Sequence, residues 1–426
     1  MSSKTFAISQ SANTSEQMSS GSPWRSLLHP NVILAAVGYL VDTYDLMLFS
    51  IVRRPSLLTL GFSGDALLAK GVWLLNLQMI GMLVGGFFWG ILGDKRGRLA
   101  VLFGSILIYS MANIANAWVS SIESYAALRF LAGFGLAGEL GAAITLVSEV
   151  LSAQHRGHAT TLVALCGGTG VILAALVGEL VSWQTAYLIG GVLGLALLLM
   201  RVRAAESGLF HAMHVHTVNV RRGDLRLLLS GKLRWRYLKC VLAGGPLWFM
   251  SGLLSTFAPE IGRSLGAQGE LNVSICLLTS TFGILLGDLL TSMCSHYLRS
   301  RRKVMVTAIA LCSMFVLAYL FTFAGQPWIY YSLLFLIGTC TGYWAVLLAT
   351  TAEQFGTNLR ATVTTTVPNL VRALVIPMTV GLEILSPTIG LKAAVLTVGV
   401  CVYSLALLSA ATLTETFGRD LDFLEQ

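Results

Sequence analysis

The chain has 426 residues, of which 55% are hydrophobic and only 11% are charged. Soluble domains carry about 25% charged residues, so this composition excludes an ordinary soluble protein and predicts one embedded in a membrane. The net charge of +8 does not require nucleic acid. The basic residues concentrate in predicted loops on one side of the membrane, and we expect no nucleic-acid partner.

Twelve apolar runs are long enough to cross a bilayer, which takes about 20 residues in a helix. We number them spans 1 to 12, and they cover residues 31–52, 70–92, 99–119, 124–147, 159–181, 184–200, 237–259, 272–293, 304–324, 328–350, 363–385 and 393–413. The sequence therefore predicts an all-α polytopic membrane protein.

The distribution of Lys and Arg predicts how these spans are oriented. About 21 of the 28 basic residues fall in the tails and in the loops after even-numbered spans, and about 5 fall in the other loops. Because the number of spans is even and basic residues favour cytoplasmic loops, both termini are expected in the cytoplasm. The polar, Ser-rich start predicts a disordered tail, and we expect the protein in the inner (plasma) membrane of a bacterium.

The two halves of the chain echo each other. The segment SEVLSAQHRGHATT after span 4 matches AEQFGTNLRATVTT after span 10, which aligns Glu149 with Glu353. Arg98 and Arg301, after spans 2 and 8, align with nearly the same offset. Such repeats are typical of transporters. The expected domains are a tail over 1–28, a six-helix bundle over 29–200, a cytoplasmic linker over 201–236, a second six-helix bundle over 237–413 and a cytoplasmic tail over 414–426.

The loop after span 2 reads GILGDKRGR and resembles the signature G-x-L-x-D-x-x-G-R of the major facilitator superfamily. The resemblance implies two pseudo-symmetric six-helix bundles and a charged cytoplasmic latch that breaks when they rock. Tyr297 replaces the aspartate in the second half, so the two latches are expected to differ in strength. The alternative is that these charges only mark cytoplasmic loops. The residues assigned to this gate are Gly90, Asp94, Gly97, Arg98, Glu149, Arg156, Arg301, Glu353 and Arg360.

Spans 1 and 4 carry a finer resemblance. VDTYDLMLF in span 1 and RFLAGFGLAGELGAAITLVSE in span 4 are similar to the same helices of proton-coupled metabolite symporters, including the phosphate and organic-acid branches. The resemblance implies that Asp45 is the proton-coupling aspartate and that Arg129 is its partner. Glu139 stands in GEL, which follows the organic-acid pattern and shifts the expectation away from phosphate.

Asp42 and Asp45 stand three residues apart on one face of span 1. A carboxylate inside the membrane is costly unless it is paired, solvated or protonated, and two close carboxylates can share a proton. We expect Asp45 to titrate and thereby release Arg129 for a substrate anion, while Asp42 tunes it or contacts substrate. The alternative is that both aspartates pair with Arg129 and only fix packing. Glu139, expected beside the cavity near the middle of the membrane, is a second coupling candidate.

Asp288 in span 8 and Arg372 in span 11 are charges within the second half of the membrane domain, where such residues mark functional sites by default. Arg372 is expected to bind an anionic substrate, to pair with Asp288 or to snorkel to the membrane surface. Trp248, Tyr343 and Trp344 lie in spans 7 and 10, and they are expected either to wall a substrate site or to face lipid.

These features predict a secondary active transporter that carries a small anionic metabolite, with an organic acid favoured, together with protons by alternating access. The alternative is a proton-coupled exporter of drugs or metabolites, although span 5 lacks the Gly-Pro signature of many exporters. A sensor would need a larger soluble domain, and no motif predicts an enzyme. We expect a monomer with no cofactor and no metal site, and we assign His211, His214 and His216 to a solvated loop.

Overall fold

The computed structural model describes residues 30–96, 98–139, 153–206, 228, 230–418 and 425. Within these ranges every regular element is a helix, as the sequence predicted. Nine helical stretches in this part of the chain are long and apolar enough to cross a membrane, and the shorter apolar helices Ala100–Asn116 and Leu165–Leu180 accompany them. The fold is therefore all-α and polytopic.

The first half consists of long helices. Apolar runs form helices in a membrane because a helix satisfies its backbone hydrogen bonds without water. The helix of span 6 continues past the predicted boundary at residue 200, so Arg201 lies inside it rather than in the linker. The helices of spans 1 to 6 are Pro30–Thr59, Asp65–Arg96, Arg98–Asn116, Ile122–Leu136, Ala153–Leu180 and Trp183–Glu206.

The second half contains broken helices. Spans 8, 9 and 12 are the continuous helices Val273–Leu298, Arg301–Phe321 and Leu391–Thr412. Span 7 is divided into Gly231–Ala243, Gly245–Trp248, the π-helical turn Phe249–Ser255 and Ala258–Ser264, span 10 into Pro327–Thr341 and Trp344–Gln354, and span 11 into Thr357–Ala373 and Val375–Ile389. Helix breaks are tolerated in a membrane where protein or a water-filled cavity covers the freed backbone groups. The breaks therefore point to spans 7, 10 and 11 as part of the wall of a cavity.

The helices pack in a pattern that repeats between the halves. Span 1 packs against span 5, span 2 against span 4 and span 3 against span 6, while span 8 packs against span 10 and span 9 against span 12. Between the halves, span 2 packs against span 11 and span 5 against span 8. Spans 2 and 11 correspond to spans 8 and 5 when the two halves are exchanged. The contact between spans 2 and 11 therefore corresponds to the contact between spans 8 and 5, as pseudo-symmetry requires.

Glycines allow the closest of these approaches. Gly81 in span 2 and Gly133 in span 4 each face the backbone of the opposite helix, so a methyl group at either position would collide with main-chain atoms. Gly283 and Gly338 repeat the arrangement between spans 8 and 10. Small residues have this use in membrane bundles because they let helix backbones come together.

The helix ends define two faces of the molecule. Arg201, near the end of span 6, donates a hydrogen bond to the carbonyl oxygen of Leu34, near the start of span 1 (3.5 Å). We call this side, where the segment between spans 6 and 7 begins, the linker face. The opposite side, where span 1 ends at Thr59, is the far face. Asp42 and Asp45 lie midway between the two faces in the helix of span 1.

Candidate substrate and proton site

A cavity lies between the two halves of the molecule. It contains about 810 Å³ that no atom occupies, part of it open to solvent. Its wall is mainly apolar and comes from spans 1, 5, 7, 8, 10 and 11. Two charged side chains, Arg372 and Asp288, belong to the part of the wall that the structure describes. A concave, apolar wall with a few polar groups is typical of a site for a small molecule.

Arg372 forms a buried ion pair with Asp42 of the other half. Its Nη2 atom lies 3.2 Å from Oδ2 of Asp42, and the side chains are 4% and 0% exposed. The Nη1 atom of Arg372 and the Oδ1 atom of Asp42 have no hydrogen-bond partner among the described residues. Arg372 therefore pairs neither with Asp288 nor with the membrane surface, and the interpretation that both aspartates pair with Arg129 is wrong for Asp42.

Aromatic side chains form part of the same cavity wall. Tyr39 lies beside the Arg372 guanidinium, and Trp248 and Trp344 line the cavity. Tyr343, which was grouped with them from the sequence, is not a lining residue. Its hydroxyl donates to a main-chain carbonyl at the end of the first helix of span 7 (2.7 Å), and its side chain is buried. Tyr343 thus connects the break in span 10 to the break in span 7.

Asp288 has a structural role in addition to its place in the cavity wall. Its Oδ1 atom accepts a hydrogen bond from the N–H of Ala345 (3.1 Å), in the first turn of the helix Trp344–Gln354. The first N–H groups of a helix have no partner within it, and a carboxylate there is favoured by the helix dipole. Thr291 donates to the carbonyl of Gly342 at the same break (2.6 Å). Asp288 therefore helps to hold the broken span 10 in shape.

Asp45 and Arg129 lie near each other inside the first bundle. Asp45 is buried and feels the charge of Arg129, but neither of its carboxylate oxygens has a hydrogen-bond partner in the described structure. Arg129 donates from Nη1 to the Tyr187 hydroxyl (3.3 Å), while its Nε and Nη2 atoms have no partner there. Its guanidinium lies 5.0 Å from the centre of the Phe49 ring, which favours the cation. The predicted pair is thus brought together, but outside the cavity wall and without a direct ion pair.

A chain of hydroxyl groups leads from Arg129 toward the far face. The Tyr187 hydroxyl lies 2.7 Å from the Tyr125 hydroxyl, which lies 3.1 Å from Oγ of Ser56. All three side chains are buried, and Ser56 lies about one helical turn before Thr59, where span 1 ends. Sequence reasoning did not single out these residues, because a tyrosine in an apolar helix has the pattern of an ordinary core residue.

Glu139 pairs with Arg201 and does not line the cavity. The Nη1 atom of Arg201 lies 2.9 Å from Oε2 of Glu139, a second contact joins Nη2 to Oε1, and both side chains are buried. Arg201 also contacts Leu34 near the start of span 1. Glu139 therefore lies toward the linker face, where it helps to join spans 1, 4 and 6, and not at the expected place beside the cavity.

A second buried ion pair joins the halves at the far face. Arg53, near the end of span 1, lies 2.8 Å from Glu260 in the last helix of span 7. Arg53 also donates to the carbonyl of Thr256 (3.1 Å), and the Thr256 hydroxyl donates to Ser50 (2.9 Å). Sequence reasoning missed this pair because Arg53 falls just past the predicted end of span 1, where a charge is usually a boundary residue.

Two further contacts close the far face around this buried pair. Arg54 pairs with Glu270 at the exposed rim. The side-chain amide of Asn272 donates to Glu179 at the end of span 5 (2.9 Å). Contacts from spans 1 and 5 to spans 7 and 8 therefore hold the two halves together on this side of the cavity.

The gate predicted at the linker face is described only in part. Gly90 lies in the helix of span 2 with open space where a side chain would be. Two gate residues, Gly97 and Glu149, lie outside the described residues. Three more lie in described helices, but their side chains are not described: Asp94, Arg98 and Arg156.

In the second half, the gate residues form a contact cluster. Arg301 pairs with Glu353 (2.9 Å), and Arg360 donates to the main-chain carbonyl of Ala352 (2.9 Å). Glu415, which the sequence did not single out, accepts hydrogen bonds from Ser300 and from the N–H of Arg301. Partial burial raises the pKa of Glu415, but its hydrogen bonds outweigh that effect and leave the pKa below its usual value. The carboxylate therefore stays charged at this end of the bundle.

Comparison with known proteins identifies similar transporters. Residues 35–380 match the sequence profile described as Major Facilitator Superfamily. The chain is 26% identical over 364 residues to a Bacillus subtilis protein named "Putative niacin/nicotinamide transporter", and the match covers 77% of this chain and 81% of that protein. It is 33% identical over 143 residues to a 4-hydroxybenzoate transporter of Pseudomonas putida, which covers 32% of each chain.

The fold also has a counterpart among solved structures. The crystal structure of a D-xylose-proton symporter aligns with a TM-score of 0.70 and 14% sequence identity, over 94% of this chain and 100% of that chain. Because the sequence identity is only 14%, this structural similarity establishes a shared fold and nothing about the substrate. It confirms the helical bundle architecture that the apolar runs predicted.

We expect Glu260→Gln to loosen the far face. Removing one partner of a buried ion pair leaves the other charge uncompensated, at a cost of about 3–5 kcal/mol, and Arg53 is fully buried. Ser251 lines the cavity, so a Ser251→Cys reporter, in a chain whose native cysteines are replaced, measures access. A membrane-impermeant maleimide added on the far-face side should label this reporter several-fold faster in Glu260→Gln.

Glu270→Gln is the matched control for this experiment. It removes the same charge from a pair at the exposed rim, where ion pairs contribute about 0–1 kcal/mol. Labelling should then remain close to that of the parent chain. Equal labelling rates in Glu260→Gln and Glu270→Gln would contradict a lock at Arg53.

Proposed function

This chain belongs to the major facilitator superfamily, and on that basis we propose that it is a secondary active transporter that takes up a small aromatic organic acid together with protons. The observation that carries the proposal is the cavity between the halves, which has the Arg372 guanidinium in its wall. Two buried carboxylates, Asp42 and Asp45, lie in the adjoining helix of span 1. An anion site and proton-binding groups therefore share one region of the molecule.

The cavity wall favours a flat ring that carries one carboxylate. Arg372 has an unpartnered Nη1 atom, and a guanidinium can hold a carboxylate through two parallel hydrogen bonds. Trp248 and Trp344 in the same wall offer aromatic surfaces on which a ring can pack. The lining offers a single cation among the described residues, which suits a monocarboxylate better than a di- or tricarboxylate.

The relatives support the same substrate class. One is named for niacin or nicotinamide and another for 4-hydroxybenzoate, and niacin and 4-hydroxybenzoate are both aromatic rings with one carboxyl group. The second match covers only about a third of each chain. The substrate class therefore rests on the cavity and the relatives together, not on either alone.

The contacts at the two faces support transport by alternating access. The positive bias of the predicted loops makes the linker face the cytoplasmic one, with both termini on that side of the plasma membrane. The far face is then external, and in the structure its halves are joined by Arg53 and Glu260. Import requires that this external lock opens to admit substrate and closes before the linker face opens.

Asp45 is suited to carry a proton during this cycle. Its carboxylate is buried and has no hydrogen-bond partner among the described residues, while the Arg129 charge lies close by. A buried carboxylate without a direct partner exists stably either as the neutral acid or beside a cation. Protonation and release at Asp45 would therefore change the charge inside the first bundle at each turn of the cycle.

Proton movement in proteoliposomes tests the proposed function directly. The internal pH is read while nicotinate, 4-hydroxybenzoate, a dicarboxylate, phosphate and a lipophilic cation are added outside in turn. We expect acidification of the lumen with the aromatic monocarboxylates, because each anion enters with protons. Alkalinisation with the cation would instead indicate the exporter alternative, and acidification with phosphate or the dicarboxylate alone would overturn the substrate class.

We expect Asp45→Asn to abolish uphill accumulation of the acid. The amide cannot carry a proton, so the gradient no longer drives transport, while exchange of labelled for unlabelled substrate needs no net proton movement. Uptake and exchange of labelled 4-hydroxybenzoate measure the two activities in one preparation. Glu123→Gln, the same chemical change at an exposed position in span 4, is the control, and wild-type accumulation in Asp45→Asn would remove Asp45 from the mechanism.

A further inference from the structure

The ion pair between Asp42 and Arg372 places a carboxylate of the protein where the proposed substrate carboxylate would bind. Arg372 lines the cavity, and its Nη2 atom already holds Asp42 Oδ2 at 3.2 Å. The remaining Nη1 atom has no partner among the described residues. The Nη1 atom is buried, so a second carboxylate reaches this guanidinium only if the side chains around it move, and it then competes with Asp42 for the same cation.

Charge decides what happens to Asp42 when that anion arrives. With Asp42 ionised, the site would hold two carboxylates and one guanidinium in an apolar interior, and two close carboxylates cannot both ionise cheaply there. Loss of Asp42 from Arg372 without a proton would leave a bare buried carboxylate, which is also costly. The charge of the site stays constant only if one proton arrives with the anion.

Among the residues that the structure describes, Arg372 is the one cation whose charge acts on Asp42. The titratable groups that interact electrostatically with Asp42 come from spans 1, 3, 4 and 11. They are Arg372, Glu139, Asp45, Tyr39 and Tyr109. Among these groups Arg372 is the cation, so an ionised Asp42 that leaves it faces other acids.

We infer that the substrate carboxylate replaces Asp42 on Arg372 and that Asp42 takes up one proton as it leaves. The exchange balances: an arginine and aspartate ion pair, a free anion and a proton become an arginine and substrate ion pair and a neutral aspartic acid. The inference rests on the proposed function and deepens it. It makes Asp42 the group that links substrate binding to protonation, because Asp42 is paired with Arg372 of the cavity wall. Asp45 has no such pair and carries its proton without touching substrate.

This assignment also explains why the pair joins the two halves. Asp42 belongs to span 1 and Arg372 to span 11. When the substrate takes the place of Asp42, the direct bond between Asp42 and Arg372 is lost, and the substrate itself lies between these two helices. Binding is thereby coupled to the freedom of the halves to move.

Binding measurements on the purified protein in detergent test the inference. The affinity for nicotinate and 4-hydroxybenzoate is measured by calorimetry between pH 6 and 8, in buffers of different ionisation enthalpy that report protons taken up. In the range where Asp42 is ionised, wild type should bind about tenfold more weakly for each unit of rising pH, with one proton taken up per anion. Binding by wild type without proton uptake would overturn the inference. This test uses the wild-type protein alone, so it does not depend on whether any variant folds.

Asp42→Asn should bind the acids with no pH dependence and no proton uptake, because Arg372 is then free of its competitor at every pH. Asp45→Asn is the contrasting variant and should keep the wild-type pH dependence of binding. If Asp42→Asn keeps the dependence, or Asp45→Asn loses it, the linked proton does not belong to Asp42. Failure of wild type to bind either acid would instead overturn the proposed substrate class, and the two failures are therefore distinguishable.

Discussion

The bond between Asp42 and Arg372 is the constraint on which the arrangement of the two halves depends. The residues lie 330 positions apart in the chain, yet their side chains meet at 3.2 Å in an interior where neither charge is tolerated alone. An unpaired buried charge costs several times more than an exposed pair contributes. When the two bundles pack together, Asp42 and Arg372 must therefore meet each other. Otherwise Asp42 must take up a proton or each residue must find another partner.

The two halves contribute differently to the cavity beside this bond. The first half supplies mainly continuous helices, although the helix Ile122–Leu136 ends before the predicted end of span 4. It also supplies a buried set of polar groups, with Arg129 held between Phe49 and Tyr187. The second half supplies broken helices, including the π-helical turn Phe249–Ser255 next to Trp248. Breaks and π-helical turns occur often at functional sites because they redirect side chains and ease local movement. The interrupted helices beside the cavity thus belong to the second bundle.

Much of the fold and the identity of the key charges could be predicted from sequence. Charged residues inside apolar runs are visible without a structure, which is why Asp42, Asp45, Arg129 and Arg372 were singled out. Their partners were not predictable, because helix periodicity fixes which face a residue occupies but not which distant helix meets that face. Asp42 and Asp45 share a face of span 1, and still Asp42 pairs with Arg372 of span 11 while Asp45 lies near Arg129 of span 4.

The break in span 10 was the second limit of sequence reasoning. No proline stands at Gly342 and Tyr343, where span 10 is interrupted, so nothing local indicated that Asp288 would face a helix N-terminus. For the same reason Tyr343 and Trp344, adjacent in sequence, were expected to act together although one is buried against span 7 and the other lines the cavity. Glu139 was placed beside the cavity from its distance to Arg129 along span 4, and its pair with Arg201 was not predicted because Arg201 was assigned to the linker.

An experimental structure of the protein with 4-hydroxybenzoate bound would show directly whether the substrate replaces Asp42. We expect the carboxylate of the ligand on the Arg372 guanidinium, Asp42 moved away from it, and the ring against Trp248 or Trp344. A bound acid in a structure where Asp42 and Arg372 remain paired would show instead that the substrate is recognised without competing for that bond.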